Sequence, residues 1–147
     1  MIAFDTNVLL PAVERSNAHH ARAAAFLDSL QQREDVAISE FALLELNGLL
    51  RNSAVLRRPL SATRAAAVCG AFRQHPRWQV LGLPAESRPF HDELWALLGN
   101  ESFARRRAYD LRMAVSLLRQ GVTDFATVNT KDFGGLGFRR VWNPLAD

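Results

Sequence analysis

Three acidic residues stand where a folding pattern has little use for acid. Asp5 follows the apolar run Ile2-Ala3-Phe4 and opens the segment Asp5-Thr6-Asn7. Glu45 has Phe41, Ala42, Gly48 and Leu49 as its neighbours one helical turn away on either side, which puts its carboxylate on an apolar face. Asp110 falls on a stripe with Met113, Ala114 and Leu117, where a binary pattern calls for an apolar residue. A buried ionised carboxylate is costly unless it is paired or bound to a metal. Each acid has an ordinary alternative. Asp5 suits a helix N-cap, Glu45 could meet one of the many arginines, and Asp110 could pair with Arg106 or Arg107 a turn upstream. One cluster explains all three more economically than three separate accidents. Glu40, by contrast, sits in a first helical turn, where the helix dipole welcomes it.

Clustered carboxylates without thiolates or paired imidazoles have a definite chemistry. Hard oxygen ligands select Mg²⁺ or Mn²⁺, which bind through one or two carboxylates, water and substrate phosphate oxygens. Such ions activate water and stabilise charge in phosphoryl displacement. Like charges in the empty cluster would push carboxyl pKa values up. The lone Cys69 rules out a disulfide framework and a multi-cysteine zinc site. His19, His20, His75 and His91 show no ligand spacing and read as structural or surface residues.

The elements that must position these acids alternate. Short strands are expected at Ile2–Phe4, Val36–Ile38, Trp78–Leu83, Phe125–Val128 and Arg140–Trp142. Helices are expected at Val8–Glu14, Ala18–Gln32, Glu40–Asn52 with Ser39 as cap, and from a Ser61 cap to Gln74. Two more are expected at Pro89–Leu98, ended by Gly99, and Ala104–Gln120, closed by Gly121. The alternation predicts an α/β fold, a three-layer α/β/α sandwich around a mostly parallel sheet of about five strands. Sites in such sheets lie beyond the carboxyl ends of the strands, where strand order reverses. Asp5 meets that demand; Asp124 precedes its strand, falls at the opposite rim and is read as structural.

The chain has 147 residues, enough for one domain spanning 1–147, with 48% hydrophobic and 22% charged residues. Its net charge is +3, and Lys131 is the single lysine among 18 basic residues. Arginine forks suit phosphate and carboxylate, so an anionic partner such as nucleic acid is expected. A GC-rich coding sequence would also raise the arginine count. No apolar run reaches the roughly 18 residues of a membrane helix. The opening Met-Ile-Ala-Phe-Asp does not resemble a secretion signal, so a cytoplasmic protein with no membrane partner is expected.

Four segments in order resemble the PIN-domain family. They are Asp5-Thr6-Asn7-Val8-Leu9-Leu10, Leu43-Leu44-Glu45-Leu46, Tyr109-Asp110-Leu111-Arg112-Met113-Ala114 and Thr127-Val128-Asn129-Thr130-Lys131-Asp132-Phe133. The chain length and the closing Phe138-Arg139-Arg140-Val141-Trp142-Asn143-Pro144 are similar to the VapC branch, toxins of bacterial type II toxin–antitoxin pairs. The resemblance spans essentially the whole chain, and its specificity comes from the four segments together.

It implies an Mg²⁺- or Mn²⁺-dependent endoribonuclease, silenced by a small antitoxin and often dimeric. Asp5, Glu45 and Asp110 would be the metal ligands, with Asn129 as the fourth catalytic position. Thr6 and Asn7 would orient Asp5 and the metal's waters. The fourth position is often Asp in the family; Asn129 carries no charge, so one well-held ion is expected. Asp132 is a further acid within reach, with a helix-start or loop role open to it as well. Arg106, Arg107 and Arg112 would flank the RNA path, and apolar helices such as Pro89–Leu98 would offer a groove or dimer face. Two rivals remain. A phosphatase of the haloacid dehalogenase type also starts with an Asp after a strand, but needs a second Asp where Asn7 stands. A non-catalytic RNA- or protein-binding module would bind without cleaving.

Overall fold

Ile2-Ala3-Phe4 forms β1, the central strand of a five-stranded sheet in the computed structural model, which describes residues 1–147. The strand order is β3-β2-β1-β4-β5 and every neighbouring pair is parallel. The remaining strands are β2 (Val36–Ser39), β3 (Gln79–Leu81), β4 (Asp124–Ala126) and β5 (Arg140–Trp142). Every residue of β1, β2 and β4 is buried. Alternate side chains leave a strand on opposite faces, so both faces of the sheet are covered and the three-layer sandwich follows. Phe4 meets Phe26 and Trp78 edge-on, with ring centroids 6.3 and 5.4 Å away.

The helices are α1 (Thr6–Val13), α2 (His20–Leu30), α3 (Glu40–Leu50), α4 (Ala62–Arg73), α5 (Ser87–Leu98), α6 (Ala108–Arg119) and α7 (Thr130–Phe133). Ser39 caps α3 by accepting from the Phe41 N–H at 3.1 Å, and Ser61 caps α4 by accepting from the Arg64 N–H at 3.2 Å. Both match the expectation. Gly121 closes α6 with φ +87, a conformation that favours glycine. Gly99 ends α5 at φ −73, so no left-handed turn is needed there. Helix α6 works on two sides. Met113, Ala114 and Leu117 join the main core, while Leu111 and Val115 pack with Phe90 and Leu94 of α5.

Three of the boundaries that differ from the expected ones, and one unforeseen element, bear on the site. Helix α1 starts at Thr6 because Asp5 caps it, accepting from the Thr6 N–H at 2.8 Å. The expected helix Ala104–Gln120 opens instead with a 3₁₀ turn, Arg105–Arg107, and turns α-helical only at Ala108. The turn is closed by the Arg107 N–H on the Ala104 carbonyl at 2.9 Å, while the Arg107 guanidinium reaches across to the Asp132 carbonyl. Strand β4 begins at Asp124 and stops at Ala126, in register with the three residues of β1. The one-turn helix α7 was not anticipated, since four residues carry no periodic signal. No helix is long and apolar enough to cross a membrane.

Candidate active site

Parallel strands deliver all their carboxyl ends to one rim, and β1 and β4 lie side by side at the centre. From β1 the chain runs to β2 on one side, and from β3 it crosses to β4 on the other. The resulting crevice holds the residues immediately after these strands, Asp5 and Thr127.

Asp5 is both the cap and the centre of this crevice. It is 5% exposed, and three uncharged donors hold its carboxylate. The Thr6 N–H reaches Oδ1 at 2.8 Å, and the Asn7 amide and Thr127 hydroxyl each reach Oδ2 at 2.8 Å. Burial lifts its carboxyl from 3.8 to about 6; the hydrogen bonds from Thr127 and Thr6 oppose the rise, and Asp110 and Glu45 add to it. Asn7 is fixed in turn: its amide nitrogen also meets Thr127 Oγ1 at 3.1 Å, and its Oδ1 accepts from the Val128 N–H at 3.1 Å. Asn7 is thus locked between Asp5, Thr127 and the Val128 N–H. Thr6 differs in part. Its backbone holds Asp5, but its hydroxyl lies 3.0 Å from Glu45 Oε2 and 3.2 Å from the Ala42 carbonyl, so the side chain orients Glu45.

A polar cavity of about 470 Å³ opens above Asp5, and no hydrophobic residue lines it. Glu45 and Asp110 face it beside Asp5 and Asn7; Arg106, Arg107, Asn129 and Asp132 complete the wall. Glu45 is exposed rather than embedded in an apolar face. The buried stripe of α3 runs through Ala42, Leu43, Leu46 and Leu50, and Glu45 flanks it at the cavity mouth. Asp110 is half-buried and lies in the first turn of α6, not mid-helix, because the 3₁₀ turn moves the helix start to Ala108. Its carboxyl is raised, by burial first and then by Glu45 and Asp132, with Arg107 opposing. Neither of the expected i,i+4-type partners neutralises it: Asp110 has no ion pair, whereas Arg107 lies 3.8 Å from Asp132.

Asp132 thus reaches the cavity but faces an arginine. Arg107 is mostly enclosed and tied to the Asp132 carbonyl, with its guanidinium 4.9 Å from the Phe103 ring, so it braces α7 against α6. That differs from the free RNA-facing arginine expected from sequence. Arg106 is exposed at the cavity wall. Arg112 lies in an adjoining groove, its guanidinium 4.2 Å from the Phe41 ring and 5.2 Å from the Tyr109 ring. Asn129 is exposed at the rim, and its backbone N–H donates to Thr127 Oγ1 at 3.0 Å. Thr127 is the residue sequence reasoning undervalued. It is fully buried and joins Asp5, Asn7 and Asn129; in sequence it stood inside the expected strand Phe125–Val128 and opened the fourth family-like segment, with no role of its own assigned.

The donor set fits a hard cation. Asp5, Glu45 and Asp110 offer carboxylate oxygen, no thiolate or imidazole joins them, and the carboxyls of Asp5 and Asp110 are pushed up, by burial first and by the neighbouring acids after it. The three surround the cavity without closing on one point, and no trio of acidic, histidine or cysteine side chains could hold an ion unaided. An ion completed by water and phosphate oxygens is what Mg²⁺ prefers.

A parallel sheet with a carboxylate pocket at its central switch point is the arrangement that the PIN-domain resemblance implies. The chain is 45% identical to Ribonuclease VapC24 of Mycobacterium tuberculosis over 145 residues, covering 99% of this chain and 97% of that protein. It therefore belongs to the VapC ribonuclease family. The fold is shared with the crystal structure of Mycobacterium tuberculosis VapC20, a sarcin-ricin loop cleaving toxin (TM-score 0.69, 21% identity, 94% of this chain and 96% of that one). It is also shared with DNA-bound VapBC from Salmonella typhimurium (TM-score 0.65, 20% identity, 97% of each chain). No family model matches the chain.

Proposed function

We propose that this VapC-family ribonuclease cleaves RNA phosphodiesters endonucleolytically at the Asp5–Glu45–Asp110 cavity, as the toxin of a toxin–antitoxin pair. The observation that carries the assignment is the convergence of three carboxylates, from the end of β1, from α3 and from α6, on one polar cavity with no ion pair to any of them. A single Mg²⁺ or Mn²⁺ held there would supply positive charge against the phosphate oxygens and make water a nucleophile near neutral pH.

The chain's own groups supply the positioning. Thr127, Asn7 and the Thr6 N–H hold Asp5 in one orientation, and the Thr6 hydroxyl holds Glu45. Arg106 steers the phosphate backbone into the cavity. Asn129 presents an uncharged amide at the rim, which favours one ion over two. Asp132 belongs to the brace with Arg107 rather than to the ligands. The expected products are a 5′-phosphate and a 3′-hydroxyl. Residues 1–147 act as one domain in the cytoplasm. The family relationship supports a small antitoxin as partner, and a homodimer as the working unit.

The deciding experiment incubates the purified protein with total cellular RNA in Mg²⁺, Mn²⁺ or EDTA, beside Asp5→Asn and Asp110→Asn. Cleavage is expected only for the parent protein with a divalent ion. Cleavage that persists in EDTA or in either variant removes the metal-site assignment. The haloacid dehalogenase alternative loses its general acid, because the Asn7 amide donates to Asp5 where that acid would stand.

A further inference from the structure

We infer that the groove between α3 and α6 seats one nucleotide of the RNA beside the scissile phosphate, its base stacked on Tyr109 and its phosphate on Arg112 and Arg106. The inference rests on the ribonuclease reading above and extends it to how the substrate is gripped.

The groove, about 340 Å³, opens off the carboxylate cavity and shares Glu45, Arg106 and Asp110 with it. Tyr109 is 72% exposed and immediately precedes Asp110, so its ring stands one residue from the reacting centre. Arg112, three residues on, lies on the same face of α6. Its guanidinium sits 4.2 Å from the Phe41 ring and 5.2 Å from the Tyr109 ring, yet it makes no ion pair or hydrogen bond with the protein, and its Nε is enclosed without a partner. Arg106 also lacks a protein partner. Eight of the 17 arginines pair with carboxylates, among them Arg73 with Glu40, Arg119 with Glu93 and Arg139 with Asp124, and Arg112 differs from the other unpaired ones in being held against two rings beside the carboxylates. A guanidinium ordered between two rings and kept free meets an anion at reduced entropic cost. An exposed aromatic face beside it accepts any base, because every base can stack.

A protein partner would use the same opening less well. Glu45, Arg106, Asp110 and Arg112 make half of the groove's eight lining residues charged, whereas the core of a protein interface is depleted of charge.

The test uses Asp5→Asn protein, expected to bind RNA without cutting it, and a fluorescein-labelled RNA hexamer in Mg²⁺. Adding Tyr109→Ala is expected to weaken binding roughly 5- to 100-fold, the loss of one stacked base, while Tyr109→Phe keeps it within about twofold. Arg112→Gln is expected to weaken it about tenfold and to flatten its salt dependence, with Arg112→Lys between. In the parent protein the same substitutions raise KM and leave kcat nearly unchanged. Sedimentation of each variant reads the oligomeric state. Unchanged binding in Tyr109→Ala and Arg112→Gln overturns the inference. So does a loss of binding that accompanies dissociation and is regained at concentrations that restore the oligomer, since the groove is then a face for a second copy. Failure of the parent protein to cleave RNA overturns the ribonuclease reading alone if binding still responds to Tyr109, and both if no RNA binds.

Discussion

Asp5 and Asp124 are two acids at opposite rims of the same pair of central strands, and they are treated in opposite ways. Asp124 opens β4 beside Ile2, at the amino-terminal rim. The Arg139 guanidinium grips it with both arms, Nε to Oδ1 at 3.0 Å and Nη2 to Oδ2 at 2.7 Å, and holds its carboxyl below the ordinary value. Asp5 follows β1 at the carboxyl-terminal rim. It is held by an amide, a hydroxyl and a backbone N–H, and burial pushes it up to about 6. In a chain with 18 basic residues, no arginine is paired with Asp5. At one rim the fold brings a cation from its own chain to the carboxylate; at the other it surrounds the carboxylate with uncharged donors alone.

The contrast breaks most sharply at the carboxylate cavity. Asp5→Asn or Asp110→Asn is expected to lower RNA cleavage by at least about a hundredfold, whereas Asp124→Asn leaves cleavage near the parent rate; a gel assay on one RNA oligonucleotide compares all three. A smaller effect is expected from Thr127→Val, which removes a donor to Asp5 Oδ2. Activity should fall about 10- to 100-fold, and the acidic limb of the pH–rate profile should move to higher pH.

Stability separates the two acids next. A carboxyl raised on folding destabilises the folded state above its unfolded pKa. For Asp5 the penalty is absent below about pH 3.8, grows as pH rises towards about 6, and is complete above that. Its full size is about 3 kcal/mol from the two-unit shift. Urea unfolding without divalent ions should show the parent losing stability from pH 4 to pH 6.5, and Asp5→Asn losing less. Added Mg²⁺ at ten times its dissociation constant should return about 1.4 kcal/mol to the parent; no Mg²⁺ response would put the ion elsewhere. The smallest effect belongs to the other rim. Asp124 contributes stability at neutral pH that fades as pH falls through its depressed pKa. Arg139→Gln should lower the melting temperature slightly at pH 7 and not at all in strong acid.

The element order and the acid cluster were legible in the sequence because strong signals carry them. Apolar runs halted by Asp, caps such as Ser39 and Ser61, and Gly121 after α6 are local features. Burial was not. Glu45 has apolar neighbours on the helical wheel, but the orientation of α3 is set by Leu43, Leu46 and Leu50, which turn it towards solvent. The 3₁₀ turn before α6 carries an Arg107 whose guanidinium meets a carbonyl 25 residues further on, and no local pattern records that contact. Thr127 is an ordinary strand-end threonine until Asp5, 122 residues away, is folded against it.

The last pairing of the sheet has a consequence in time. The Thr127 N–H is fixed by the Trp142 carbonyl at 2.9 Å, so the group that steadies Asp5 is itself steadied by the final strand. Asp5 and Trp142 stand 137 residues apart in the chain. Contacts of such separation close slowly, because loop entropy must be overcome first, so until β5 docks beside β4 the Thr127 N–H lacks this partner.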